Sequence, residues 1–161
     1  LRAGASRLFD SEGLTTKKRE ILSKGVLNGW TLDLASARKL GMRPTANASR
    51  SVSSNPSPTN WNIELSSPED YCDNLLSEIR NGLLVTSLIG STINPNTGDY
   101  SRGVSGFWVE DGQICYPVSE ITIAGNLKDM LKKIILGNDA QRHLSYVVPS
   151  ILVEDMTLAG S

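Results

Sequence analysis

Apolar and polar positions first form a clear pattern near the N-terminal end. Residues 19–22 and 26–32 read as two strands around Lys24-Gly25, where glycine supplies the positive φ of a tight hairpin. Asp33 is placed to cap a short helix over residues 34–40, with Arg38 and Lys39 at its negative end and Gly41 as its stop. Residues 61–65 alternate as a short strand. Ser67, Pro68 and Asp70 then occupy the N-cap, first-turn and capping-box positions of a second helix. Cys72, Leu75, Leu76 and Ile79 recur there at helical spacing, and Gly82 ends it. Residues 83–89 read as a buried strand.

Residues 90–106 carry Asn94-Pro95, Thr97-Gly98 and further glycines, which predicts a turn-rich stretch. Asp111-Gly112 predicts a two-residue type I′ hairpin. Its register would pair Val109 with Ile114, Trp108 with Cys115 and Phe107 with Tyr116, placing Phe107, Val109, Ile114 and Tyr116 on one face. Pro117 should end the pairing or lie on an edge. Residues 121–123 continue as a strand. Asn126 caps a third helix whose buried face holds Leu127, Met130, Leu131 and Ile134, closed by Gly137. Val147-Val148 and residues 151–158 are the last strand candidates. Hairpins mixed with isolated helices define an α+β class, mainly antiparallel sheet with about three short helices. Residues 42–60, rich in Ser, Asn, Thr and Pro, fit none of these elements. They read as a mobile loop, or one that a partner orders.

Length and composition add bounds. The 161 residues suit one domain, and a chain of this size buries roughly 70% of its unfolded surface. The chain begins at Leu1, and residues 1–7 resemble neither a signal peptide nor a mature secreted terminus, so a fragment of a longer protein is expected. A net charge of −1 gives no footprint for nucleic acid or an anionic membrane. The runs at Lys17-Lys18-Arg19 and around Lys128, Lys132 and Lys133 read as solvated faces. No apolar run approaches the ~18 residues of a membrane span. Cys72 and Cys115 follow no motif spacing, which fits free thiols in a reducing cytoplasm, with a single disulfide as the alternative.

The candidate chemistry is sparse. A hydrolytic zinc site needs about three converging ligands, and the chain has one histidine, His143. No G-x-S-x-G elbow accompanies it, so a hydrolase built on His143 stands against the simpler reading of a loop histidine. Glu110 and Asp111 read as a solvated turn, and Trp30, Trp61 and Trp108 as core. No catalytic residue and no metal ligand is assigned, and no cofactor is expected in the chain. Asp99, Tyr100 and Arg102 remain. An acceptor, an aromatic ring and a guanidinium fork in a glycine-permitted loop could bind a peptide or a partner, or could form an internal loop network.

The stretch Thr97-Gly98-Asp99-Tyr100-Ser101-Arg102-Gly103, then Gly106-Phe107-Trp108-Val109-Glu110, resembles the signature region of PmbA/TldE proteins. Tyr116-Pro117-Val118-Ser119-Glu120-Ile121 and the residues through Met130 continue the likeness. Gly137-Asn138-Asp139, Phe9-Asp10-Ser11-Glu12-Gly13 and Ser36-Ala37-Arg38-Lys39-Leu40-Gly41 extend it over nearly the whole chain. The resemblance implies the C-terminal domain of such a subunit over residues 1–161, without the family's N-terminal domain. It also implies a cytoplasmic heterodimer with a TldD-type catalytic subunit. That partner would carry the zinc, through an H-E-x-x-x-H helix and a later cysteine ligand, and the pair would enclose a cavity for unfolded or short peptides. Microcin maturation and antitoxin degradation are associated roles. Where a TldD-type chain would place its cysteine, this chain reads Ala140-Gln141-Arg142-His143, which agrees with a non-catalytic subunit domain. Without its N-terminal domain the isolated chain would expose apolar surface and self-associate. The alternative reading is an interaction protein acting on DNA gyrase, after the family's older description as gyrase modulators.

Overall fold

Asp111 and Gly112 both take positive φ, 46° and 76°, as the predicted two-residue type I′ turn requires. Glu110 pairs with Gln113 and Val109 with Ile114 as expected, but the register then shifts, so that Trp108 faces Tyr116 and Phe107 faces Pro117. Cys115 is the extra residue of this bulge, and the expected face is corrected accordingly: Tyr116 shares a side of the sheet with Trp108, not with Val109.

The structure is a computed structural model that describes residues 4–67 and 71–160. In chain order its elements are β1 (Leu22–Ser23), β2 (Val26–Leu27), α1 (Leu34–Leu40), β3 (Ala48–Ser49), β4 (Ser57–Pro58), β5 (Ile63–Glu64) and β6 (Tyr71–Cys72). A 3-10 turn (Leu75–Glu78) precedes β7 (Asn81–Ile93), β8 (Asp99–Glu110), β9 (Gln113–Asn126) and α2 (Leu127–Met130). Then come β10 (Ile134–Gly137), β11 (Tyr146–Val147), β12 (Ile151–Val153) and β13 (Thr157–Ala159). The fold is α+β with sheet predominating. The described residues divide into two compact units, one within Leu1–Leu65 and Gln141–Val148, the other within Ser66–Ala140 and Pro149–Ser161.

In the first unit, α1 forms as predicted. The Asp33 side chain accepts from the Ser36 N–H at 2.7 Å, and Gly41 closes the helix in the left-handed region at φ 65°. The β1–β2 hairpin is shorter than expected, pairing only Leu22 with Leu27 and Ser23 with Val26. Beyond it the chain is held by Arg19 instead, whose guanidinium donates to Trp30 O, Thr31 Oγ1 and Asn47 Oδ1. Residues 42–60 are not a structureless loop. β3 and β4 form a small antiparallel hairpin, Ala48 is fully buried, and Asn47 donates from Nδ2 to Thr59 O at 3.2 Å. Small residues let the backbone itself serve as the buried material, which a search for large apolar side chains does not register. Trp30, expected in the core, is 59% exposed, because no element covers it after β2 ends. Trp61 is half-buried, with the Arg7 guanidinium 5.4 Å from its ring centre.

The second unit is built on a four-stranded antiparallel sheet of order β13-β9-β8-β7. Residues 90–106, expected as turns, are mostly strand, and the reversal is confined to the turn before Asp99, where Gly98 N–H donates to Asn94 O at 2.8 Å. The helix expected over residues 67–82 is replaced by β6 and the 3-10 turn. Tyr71 and Cys72 are drawn into parallel pairing with Leu136 and Gly137 of β10, and the backbone oxygens of Ile79 and Arg80 accept from the N–H groups of Gly112 and Asp111. Tertiary pairing here overrides a helical pattern. The Pro68 and Asp70 capping positions lie outside the described residues. The third helix is also shorter. Asn126 caps it, accepting from Lys128 N–H at 3.1 Å, but it ends at Met130, and the branched run Ile134-Ile135 becomes β10, paired with β12. Val104, Val109, Ile123 and Leu136 form the buried apolar set of this unit. Both cysteines are free, Cys115 exposed and Cys72 partly so.

Candidate functional site

β8 carries all three residues singled out as a peptide or partner contact, but it does not bring them together. Successive side chains of a strand point to opposite faces, and β8 pairs regularly with β9 from Asp99↔Asn126 to Val104↔Ile121. Tyr100 and Arg102 therefore share a face, and Asp99 lies on the other. Asp99 is engaged within the hairpin end. Its Oδ2 accepts from Thr97 Oγ1 at 2.6 Å and its Oδ1 from Asn126 Nδ2 at 3.3 Å. The same Asn126 amide donates to Thr97 O at 3.0 Å, and its oxygen caps α2. Arg102 is partly buried beside Ile123, and its Nε has no hydrogen-bond partner. Of the three it keeps the most unused donor capacity.

The other motifs that carry the family resemblance hold backbone in place. In Phe9-Asp10-Ser11-Glu12-Gly13, Asp10 is 3% exposed and receives three backbone N–H groups, while Glu12 Oε2 accepts from Leu34 N–H at the start of α1. In Gly137-Asn138-Asp139, Asp139 accepts from both the N–H and the hydroxyl of Ser150, at 2.7 and 2.6 Å, and Asn138 Nδ2 donates to Asp73 Oδ1. Sequence reasoning gave none of these residues a role. The short acidic motif followed by glycine was their only signal.

Both Ser150 hydrogen bonds favour the charged form of Asp139 and hold its pKa below the ordinary 3.8. A carboxylate with a depressed folded pKa contributes stability above its unfolded pKa and loses it as pH falls through the folded value. Asp139→Asn is therefore expected to flatten the acid limb of stability. Its urea midpoint should fall less than that of the parent between about pH 5 and about pH 2, with Asp33 and Asp155 supplying the remaining acid sensitivity through their own lowered values. Parallel midpoint curves for the two proteins would remove Asp139 from the acid response.

His143 is exposed in the segment after Asp139. Its neighbour Arg142 stands 3.8 Å from Glu64. Glu110 accepts from Trp108 Nε1 at 2.9 Å, so it serves the strand rather than a catalytic pair. Among the described residues no group of three or more His, Cys, Asp or Glu side chains is placed to hold a metal ion, and no helix is long and apolar enough to cross a membrane.

The chain belongs to the PmbA/TldA metallopeptidase C-terminal domain family, whose model matches residues 1–160. It is 45% identical over 161 residues to a protein of Escherichia coli O157:H7 named Metalloprotease PmbA, covering 99% of this chain and 34% of that one. A Metalloprotease TldD homolog of Buchnera aphidicola is 24% identical over 170 residues, 95% of this chain and 35% of that protein. Among solved structures, a candidate modulator of DNA gyrase from Bacteroides thetaiotaomicron superposes with TM-score 0.84 at 32% identity, over 99% of this chain and 34% of that chain. The chain thus spans about a third of the length of the curated relatives it matches. The relatives' names imply a metal in the family, and the residues described here do not supply its ligand set.

Proposed function

We propose that this chain is a non-catalytic domain of a peptidase complex, forming part of a cavity wall and a contact surface for a TldD-type subunit that carries the zinc. The combination of metallopeptidase-family membership with no ligand cluster among the described residues carries this reading. The higher identity to a protein named PmbA than to one named TldD supports it. The work of such a complex would be the cleavage of unfolded or short peptides in the cytoplasm. Arg102, with spare donors beside Tyr100, is the residue of this chain best suited to touch peptide or partner.

Light scattering on a size-exclusion column, with this chain mixed with a TldD-type subunit from the same source, should show a one-to-one complex. If neither this chain nor a longer form carrying the N-terminal domain forms one, the reading falls. In the assembled complex, Arg102→Ala should slow chelator-sensitive peptide turnover without changing assembly, by about tenfold for the loss of charged hydrogen bonds. Unchanged turnover with unchanged assembly would release Arg102 from the role. The name of the Bacteroides structure favours a second reading, a protein that binds DNA gyrase. A titration against gyrase at moderate salt that shows no saturable binding removes it.

A further inference from the structure

Strand β9 is paired with β8 along its whole length, but on its outer side β13 covers only Thr122, Ile123 and Ala124. From Ile121 back to Gln113, no strand among the described residues pairs the outer edge. A groove of about 500 Å³ lies there, along Tyr116 to Ser119 and Ile121, with Trp108 beside it and Leu158 to Gly160 at the end where β13 stops. Cross-strand partners share a face, so Trp108, Tyr116, Val118 and Ile121 line one side of it. Tyr116 is 50% exposed. The groove thus joins unpaired backbone to an aromatic and aliphatic wall.

We infer that this edge takes a short extended peptide with an apolar side chain, added as a strand beside Tyr116–Val118. Backbone hydrogen bonds would supply the affinity, and the Trp108–Tyr116 wall the preference for an apolar residue. The same edge disfavours a second copy of the chain. Pro117 contributes no N–H, and Glu120 at φ 59° breaks the ladder, and both devices blunt a strand against flat edge-to-edge pairing. They leave room for a peptide of about five residues, which needs only ~17 Å of strand. The outer edge of β7 is longer, but two register shifts break it, and the groove lies at β9. The inference deepens the peptidase-complex reading by giving this domain a peptide site of its own.

The test uses the full chain and a fluorescein-labelled Thr-Val-Phe-Val-Thr peptide, with two further peptides N-methylated at alternate amides. In an added strand, alternate N–H groups face the protein. Saturable binding is expected, weakened at least about tenfold by one methylation set and within about twofold for the other. Amide exchange at Tyr116, Val118 or Ser119 should slow on binding. No binding, equal weakening by both sets, slowing along β7 instead, or a dimer that dissociates as peptide binds would each overturn the inference. The assay needs no TldD-type subunit. Its failure leaves the partner reading standing, and failure of the partner complex leaves this result intact.

Discussion

Gly106→Ala is expected to cost about 3 kcal/mol or more of the stability of the second unit, while Gly103→Ala, on the same strand, stays within about 0.5 kcal/mol of the parent or gains slightly. Gly106 pairs with Val85 on one side and Val118 on the other, and it is buried. A Cβ there would stand 1.9 Å from Leu84 O and 2.9 Å from Leu84 C. Both are backbone atoms of the neighbouring strand, so no rotamer change relieves the clash. Either β7 or β8 must move, and the ladder between them breaks where the sheet is most tightly built. At Gly103 a Cβ would meet Ile89 Cβ at 3.6 Å, an ordinary contact, and alanine there removes glycine's backbone freedom from the unfolded chain. Urea unfolding followed by circular dichroism compares the two directly. Equal midpoints for both variants would mean that the close approach at Gly106 is not a constraint on the fold.

The contrast between those glycines shows where the sequence stops being legible. Both stand in the stretch read as turn-rich, since glycine signals a turn and a close strand approach alike. Only pairing with β7 and β9 separates the two meanings. The elements read well are those whose cause is local. Asp33 caps α1, Gly41 ends it, and Asp111-Gly112 closes a hairpin, each through neighbouring residues. The elements read badly are set from a distance. Cys72, Leu75, Leu76 and Ile79 have helical spacing, yet β10 and the hairpin tip pull that segment into β6 and a 3-10 turn. The bulge at Cys115 has no local marker, and one extra residue moves Tyr116 to the other face.

The candidate site divides in the same way. Asp99, Tyr100 and Arg102 were picked as chemically able residues close in sequence. Strand alternation, which follows once residues 99–110 are known to be β8, sends Asp99 away from the other two. The free edge of β9 could not be read at all, because an edge is defined by which strand fails to arrive. Only the short reach of β13 reveals it. By contrast, the family resemblance was plain in the motifs, although those motifs turn out to hold backbone. Glycine-acid pairs at Gly137 and Asp139, and the acid cluster before Gly13, are constrained because their partners are main-chain N–H groups, which no side-chain replacement elsewhere can supply.

Asp10 is the strongest instance, and Asp10→Ala is expected to lower the stability of the first unit by about 3 to 5 kcal/mol. Its Oδ1 accepts from Glu12 N–H and Leu14 N–H, each at 2.9 Å, and its Oδ2 from Ala48 N–H at 3.1 Å. One carboxylate therefore shapes the 10–14 turn and ties it to β3, and Ala48 O returns the link by accepting from Ser11 N–H at 2.9 Å. Ala48 is fully buried and Asp10 is 3% exposed, so water cannot replace the lost acceptor without opening the site. Asp10→Asn separates the two halves of the role. Its carbonyl can keep the two turn bonds, but its NH2 group then faces the Ala48 N–H, donor against donor. The asparagine variant should lose about 1 to 3 kcal/mol, less than alanine, with amide exchange at Ala48 accelerating more than at Glu12 or Leu14. Denaturant midpoints for the three proteins, read with residue-resolved exchange, decide the matter. If alanine and asparagine cost the same and all three amides accelerate together, the carboxylate acts as one undivided anchor. If neither variant loses stability, β3 and β4 are held by something other than Asp10.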